Sequence, residues 1–186
     1  MVSQVATDEA STRLLDAAAE LIAARGPGAA TVSAIADQAG VSRMTVYRKF
    51  PDKHAIISAL FNRELGAIVA QASALQADSQ RDLIAEIVTV CVHRINEHAL
   101  MQAVLKYEPE ELTEWITGRL GATQRMARAV LRDLIATGQD GDGSVRAGDP
   151  DEMSLTLVLV AQTFVFAHRI GGNDAELRAL VRGYLA

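Results

Sequence analysis

Residues 31–53 read TVSAIADQAGVSRMTVYRKFPDK, and the fold follows from how that stretch is punctuated. Thr31 carries the hydroxyl of a helix N-cap, and Val32, Ile35, Ala36 and Ala39 recur at the spacing that gathers apolar side chains on one helical face. That spacing predicts a helix of about two turns. Gly40 stands where the chain leaves this helix, a position that tends to positive φ, which glycine adopts without a Cβ penalty. Ser42 is placed to cap the next helix, in which Val46 and Phe50 face inward while Arg43, Met44, Thr45, Tyr47 and Arg48 share the remaining faces. Counting Val32 as the first position, Ala36 is the fifth, Gly40 the ninth and Val46 the fifteenth. Small residues at the fifth and ninth positions let two short helices cross closely, and the fifteenth gives them an apolar contact to lock on, which is the pattern of a helix-turn-helix. Pro51 stops the second helix, Asp52 is the next N-cap candidate, and Lys53 opens a third. A cation there opposes the helix dipole unless an anion lies nearby, and a nucleic-acid phosphate is such an anion.

Outward from this stretch the chain reads as helices throughout. Residues 1–9 have no periodicity and are expected to form a loose arm, followed by a helix to Arg25 whose face is Leu14, Leu15, Ala18, Leu21 and Ile22. Gly26, Pro27 and Gly28 end it. After Pro51 a long helix carries Ile56, Ile57, Leu60, Phe61, Leu65, Ile68 and Val69, and a domain boundary is placed near residue 55, dividing 1–55 from 56–186. Helices are further predicted from Ser79 through Ile95, from Pro109 through Leu120, from Met126 to about Thr137, from Pro150 to His168 and from Asn173 to the end, with a short segment, Ala99 to Tyr107, after the first of these. Residues 138–150, GQDGDGSVRAGDP, read as an exposed flexible loop. The segment Leu155–Val165 is apolar on nearly every face, so it must be covered on both sides, and a second copy of the same surface is the simplest cover for one of them. The fold class expected is all-α, about nine helices, with an N-terminal three-helix unit and a C-terminal helical unit.

With 186 residues, 49% of them hydrophobic, the chain can bury a sizeable core, and disorder is excluded. The net charge of −5 argues against a nucleic-acid partner only if it is evenly spread. It is not: residues 1–55 are neutral, and residues 41–54 hold Arg43, Arg48, Lys49 and Lys53 against Asp52 alone. The lone Cys91, flanked by Ile87, Val88 and Val90, reads as a small buried apolar residue in a reducing compartment. The N-terminal MVSQVATDEA has no signal-peptide pattern, and the apolar run Leu155–Ala167 is too short for a bilayer, so a cytoplasmic protein without a membrane segment is expected.

Thr31, Ile35, Ala36, Ala39, Gly40, Val41, Ser42, Thr45, Tyr47, Phe50 and Lys53 together resemble the DNA-binding domain of the TetR family of bacterial transcriptional regulators. The resemblance implies that the second motif helix lies in a major groove of double-stranded DNA and that the C-terminal helices bind an effector and dimerise. Arg43 is then the leading base reader, since a guanidinium donates two parallel hydrogen bonds to guanine O6 and N7. Met44 has the chemistry for a thymine methyl, Thr45 and Ser42 for a base or phosphate, and Arg48 for either task. By analogy with the family, Thr31, Ser33, Tyr47 and Lys53 contact phosphates. Residues 1–9 contain no Lys or Arg, so the basic minor-groove arm of several family members has no counterpart before Arg13. A two-fold homodimer built through the last two helices would read an imperfect palindrome. A small-molecule effector would work through a ligand pocket whose candidates are Phe61, Met101, Tyr107, Trp115, Met126, Gln162 and Phe166, each of which also reads as plain core. Gln162 stands apart, because an amide in an apolar helix needs a partner, and a ligand or the other subunit would supply one.

Metal and enzyme readings find little footing. His93 and Glu97 lie one turn apart, but two residues do not make a metal site, and His98 and His168 add no ligand spacing. No Walker loop, G-x-S-x-G elbow or H-E-x-x-H is present, and no cofactor is expected. The alternative kept open is a helical small-molecule-binding protein or enzyme with a vestigial helix-turn-helix.

Overall fold

No glycine or proline interrupts residues 2–25, and in the computed structural model, which describes residues 2–108, 121–167 and 171–186, they form one helix, α1 (Val2–Arg25). The loose arm expected over residues 1–9 is thus corrected: from Val2 onward the backbone is helical, because a stretch without a breaker leaves nothing to end the helix short of Gly26. A 3-10 turn (Pro27–Ala29) leads to α2 (Val32–Gln38), α3 (Arg43–Lys49) and α4 (Lys53–Ala72). Then follow α5 (Gln80–Glu97), α6 (Ala99–Tyr107), α7 (Gly121–Asp140), α8 (Pro150–Ala167) and α9 (Asp174–Leu185). Among the described residues there are nine α-helices and no strand, the all-α class expected. The helix predicted over 109–120, with Trp115, and the position of His168 lie outside the described residues.

The chain divides into two compact units, one of residues 1–64 with 98–120, the other of residues 65–97 with 121–186. In the first, Leu14, Ala18 and Ile22 of α1 are fully buried together with Ile35 of α2, Val46 of α3 and Ile56 and Leu60 of α4. Burying side chains of this size stabilises by about 1.5–3 kcal/mol each relative to exposure. The second element pair of this unit is α1 with α6, whose Leu100, Met101 and Val104 are buried. At its end, the Tyr107 hydroxyl donates to the Ala24 carbonyl (3.2 Å) and the Glu108 carboxylate accepts from the Gly28 N–H. Gly26 between them sits at φ +84°, and a Cβ there would lie 2.6 Å from Tyr107 Cβ, so both conformation and space demand glycine.

In the second unit α7, α8 and α9 pack on α5. Leu177, Val181 and Leu185 of α9 are fully buried, and the flanks of α5 and α9 are joined by Asp82–Arg182 (2.8 Å), Glu86–Arg178 (2.8 Å) and His93–Asp174 (2.9 Å). Residues 141–149 are largely exposed, as expected of a loop, yet they are tied down rather than flexible. Asp142 accepts from the Gln80 N–H (2.8 Å) and Ser144 from the Arg81 N–H (3.0 Å), which satisfies the first amides of α5. Arg146 donates from its backbone to the Leu185 carbonyl (2.9 Å) and from Nε to that of Tyr184 (2.7 Å), covering the C-terminal end of α9 where a cation suits the helix dipole. The sequence shows the turn formers of this loop but not the helix ends that wait for its polar groups.

Candidate nucleic-acid interface

The geometry of residues 31–53 is set by its caps. The Thr31 hydroxyl accepts from the Ala34 N–H (3.1 Å), the Ser42 hydroxyl from the Thr45 N–H (3.2 Å), and Asp52 from the Ala55 N–H (2.8 Å). Each satisfies an amide that its helix leaves open. Between α2 and α3 the chain turns at Gly40 (φ +65°), with the Val41 N–H reaching back to the Ala36 carbonyl (2.9 Å) and the Gly40 N–H to that of Asp37 (3.2 Å). This paired return is a Schellman motif, and it needs a left-handed residue at Gly40. Ile35, Ala36 and Val46 are then buried where the two helices cross, and Gln38 bonds Glu20 of α1 (2.6 Å). The short helices are therefore positioned from both ends and from beneath.

What this frame presents outward is α3. Met44 is 76% exposed and Tyr47 54% exposed, and Ser42, Arg43 and Arg48 are exposed beside them. Thr45 is half-buried and its hydroxyl shares a hydrogen bond with that of Ser42 (3.0 Å), leaving one O–H of the pair to donate elsewhere. Thr31 is exposed and Ser33 half-buried at the start of α2, and Lys53 is half-buried in the first turn of α4. A capping hydroxyl that accepts from an amide keeps its own proton, so Thr31 can cap α2 and still donate to a phosphate. Among the described residues Arg43, Arg48 and Lys53 form no ion pair, whereas Arg63, Arg128, Arg132, Arg178 and Arg182 all do. Three unneutralised cations, no acid on α3 and an uncovered apolar pair suit a polyanion with apolar base edges.

The other candidates fall elsewhere. Phe61 and Met101 are buried and Tyr107 is 40% exposed, all three in the first unit. Met126 and Phe166 are partly exposed and Gln162 is half-buried, all in the second. His93 faces two carboxylates, Glu97 (3.1 Å) and Asp174 (2.9 Å), and His98 caps α6 and reaches Glu64 (3.5 Å). Among the described residues no group of three or more His, Cys, Asp and Glu side chains could hold a metal ion. Burial pushes the Cys91 thiol up to about 11.

This arrangement defines the class: a DNA-binding protein of all-α build that presents a helix-turn-helix. Residues 14–60 match the model of the tetR family of bacterial regulatory proteins, and residues 81–183 that of the tetracyclin repressor-like C-terminal domain. An uncharacterised helix-turn-helix-type transcriptional regulator of Mycobacterium bovis is 32% identical over 178 residues, 95% of this chain and 92% of its own length. The fold is shared with the transcriptional repressor QsdR of R. erythropolis (TM-score 0.75, 16% identity, 96% of this chain and 95% of that one). It is shared also with RolR in complex with resorcinol (TM-score 0.75, 16% identity, 97% and 89%). The chain belongs to the TetR family and is a DNA-binding transcriptional regulator.

Proposed function

We propose that the chain is a homodimeric repressor that sets its two α3 helices into the major groove of an imperfect palindrome and is released by a small-molecule effector. The observation that carries this reading is the outward face of α3, whose Arg43 and Arg48 have no ion-pair partner among the described residues. Arg43, Met44, Thr45 and Arg48 supply contacts to bases or adjacent phosphates, with Ser42 sharing its proton with Thr45. Thr31, Ser33, Tyr47 and Lys53 hold the phosphates that fix the register. Selection from a random pool of duplex DNA, with enriched sites retested at two salt concentrations, should return a palindrome whose affinity falls steeply with salt. An enriched set with no two-fold symmetry, or with an affinity indifferent to salt, would sink this reading.

Dimerisation is assigned to the last two helices. Leu155, Leu159, Gln162 and Phe166 recur on α8 at alternating spacings of four and three, the seam of a helix that packs against a copy of itself, and Leu180 of α9 is likewise exposed. The Gln162 side chain makes no hydrogen bond among the described residues, and in such a seam one amide fixes the register by pairing with its counterpart. Leu159→Arg should convert the dimer to monomer in light scattering and weaken operator binding with it. Met126, Gln162 and Phe166, with Phe61, Met101, Tyr107 and Trp115, remain the positions to mutate once an effector is found. RolR, whose structure holds resorcinol, makes small aromatic compounds a reasonable first screen. The regulator acts in the cytoplasm, without a catalytic role or cofactor; among the described residues no helix is long and apolar enough to cross a membrane.

A further inference from the structure

The geometry points to Glu108, with Tyr107 beside it, as positioning residues for operator binding: they hold the DNA-reading unit at one angle and so set the spacing between half-sites that the dimer accepts. The inference rests on the dimeric operator reading above and deepens it. The chain passes between the two compact units at 64–65, 97–98 and 120–121, so two of its three passages belong to the excursion of residues 98–120 into the first unit. If that excursion is held firmly, the DNA-reading unit is steadied through α6 as well as through α4. If it is not, α4 alone carries the unit.

The excursion is held along α6 and at both of its ends. Leu100, Met101, Ala103 and Val104 are buried, with α1 as the packing partner of the helix. At its start His98 accepts at Nδ1 from the Leu100 N–H (3.4 Å), and its Nε2 lies 3.5 Å from Glu64 of α4. The neighbouring Arg63 pairs with Asp16 of α1 (2.7 Å). At its end the Tyr107 hydroxyl donates to the Ala24 carbonyl (3.2 Å) and the Glu108 carboxylate accepts from the Gly28 N–H. This last contact differs in kind from the apolar packing. Burial is non-directional and lets a helix slide or turn at little loss, whereas a carboxylate oxygen on one backbone N–H fixes a direction. Its partner lies in the 3-10 turn Pro27–Ala29, the last structure before α2. There the Ala30 N–H returns to the Pro27 carbonyl (3.1 Å) and the Thr31 N–H to that of Ala29 (2.9 Å), and Thr31 is the cap of α2. Glu108 thus reaches the start of the helix-turn-helix through three residues of hydrogen-bonded backbone. Gly28 leaves the room for it: a Cβ there would stand 2.8 Å from Glu108 Oε1, and the three nearest atoms all belong to Glu108.

The test starts from the palindrome selected with the parent protein, remade with one base pair added or removed between its half-sites. Either change moves one half-site by about 3.4 Å and about a tenth of a turn, so a firmly held dimer should bind both altered duplexes more weakly than the selected one. Glu108→Ala should bind the selected duplex about fivefold more weakly, because the fitting orientation becomes one of several. It should bind the altered duplexes no more weakly than the parent does, so that the preference for spacing narrows about fivefold. Gly28→Ala, whose methyl displaces the carboxylate without altering Glu108, should do the same, and Tyr107→Phe should act in the same direction by less. Glu108→Gln keeps an oxygen that accepts from the Gly28 N–H and should behave as the parent. A variant that had merely lost folded protein would weaken all three duplexes by one factor. That result for Glu108→Ala overturns the inference, as does an unchanged preference for spacing in both Glu108→Ala and Gly28→Ala. Recovery of no palindrome by the parent itself is a different failure: it ends the operator reading, and this inference falls with it.

Discussion

Two glycines in the DNA-reading unit adopt positive φ for different reasons, and alanine at each should separate those reasons energetically. Gly40, at φ +65°, has nothing within 4 Å of the position a Cβ would take. Alanine there meets only the conformational penalty of the left-handed region, roughly 1–2 kcal/mol, less about 0.4–1 kcal/mol recovered by stiffening the unfolded chain. The net loss should be about 1 kcal/mol. Gly26, at φ +84° and ψ 169°, lies in a region open essentially to glycine alone, which costs alanine about 1–3 kcal/mol, and its Cβ would also stand 2.6 Å from Tyr107 Cβ and 2.9 Å from Cγ. Those atoms are the root of the side chain and cannot swing away, so α6 must shift against α1. Overpacking of this kind adds about 1–3 kcal/mol, for a total of about 2–5 kcal/mol. Urea denaturation of the intact protein, followed by circular dichroism, measures both losses. In a Tyr107→Gly background, which removes the opposing Cβ, the cost of Gly26→Ala should drop to its backbone part, about 1–3 kcal/mol, and no lower than that of Gly40→Ala. Equal costs for the two glycines in the parent, or no coupling between Gly26 and Tyr107, would refute the close approach of α6 to the end of α1.

Thr31→Ala and Ser42→Ala should each destabilise by about 0.5–2 kcal/mol in the same assay, while Thr31→Ser and Ser42→Thr retain most of the stability, since the cap is the hydroxyl. The N–H of Gln80, with the hydroxyl and N–H of Ser144, holds the Asp142 carboxyl below the usual carboxylate range. A depressed folded value means this contact stabilises above the unfolded carboxylate range and is lost as pH falls through the folded value. Amide exchange at Gln80 should therefore stay slow at neutral pH and quicken in acid beyond the chemical trend, and Asp142→Ala should make it fast throughout. With its thiol pushed up to about 11 by burial, Cys91 should react with iodoacetamide at pH 8 about a hundredfold more slowly than an ordinary thiol, and at the ordinary rate once urea unfolds the chain. Rapid alkylation of the folded protein would show that the thiol is not shielded as described.

The helix-turn-helix was legible because its signals are local. A cap hydroxyl, its amide three residues on, and a glycine at the turn all lie within a window of sequence that fixes their geometry, and Thr31, Ser42, Asp52 and Gly40 take the positions their spacing predicts. Non-local contacts were not legible. Nothing in MVSQVATDEA says that the helix begins at Val2, beyond the want of a breaker, and nothing in GQDGDGSVRAGDP says that Asp142 and Arg146 serve the ends of two helices distant in sequence. The grip of Tyr107 and Glu108 on the turn after α1 is of the same kind, a contact across some eighty residues that no periodicity announces.

The ranking of DNA contacts shows where the two kinds of information meet. Residue type alone favours Arg43, because arginine is the most versatile base reader and stands first on the helix. Burial supplies what residue type lacks, a direction: once Val46 is known to be fully inside, the side chains of α3 left exposed are Arg43, Met44, Tyr47 and Arg48. A methionine held 76% exposed beside the exposed Tyr47 leaves apolar surface in water in the free protein, and that loss is recovered only when a partner buries it. The position most awkward for the isolated chain is therefore the one whose burial should contribute most to choosing a sequence. Leucine at position 44 should keep that choice, and glutamine, which exchanges the buried thioether for an amide in search of an adenine, should move it.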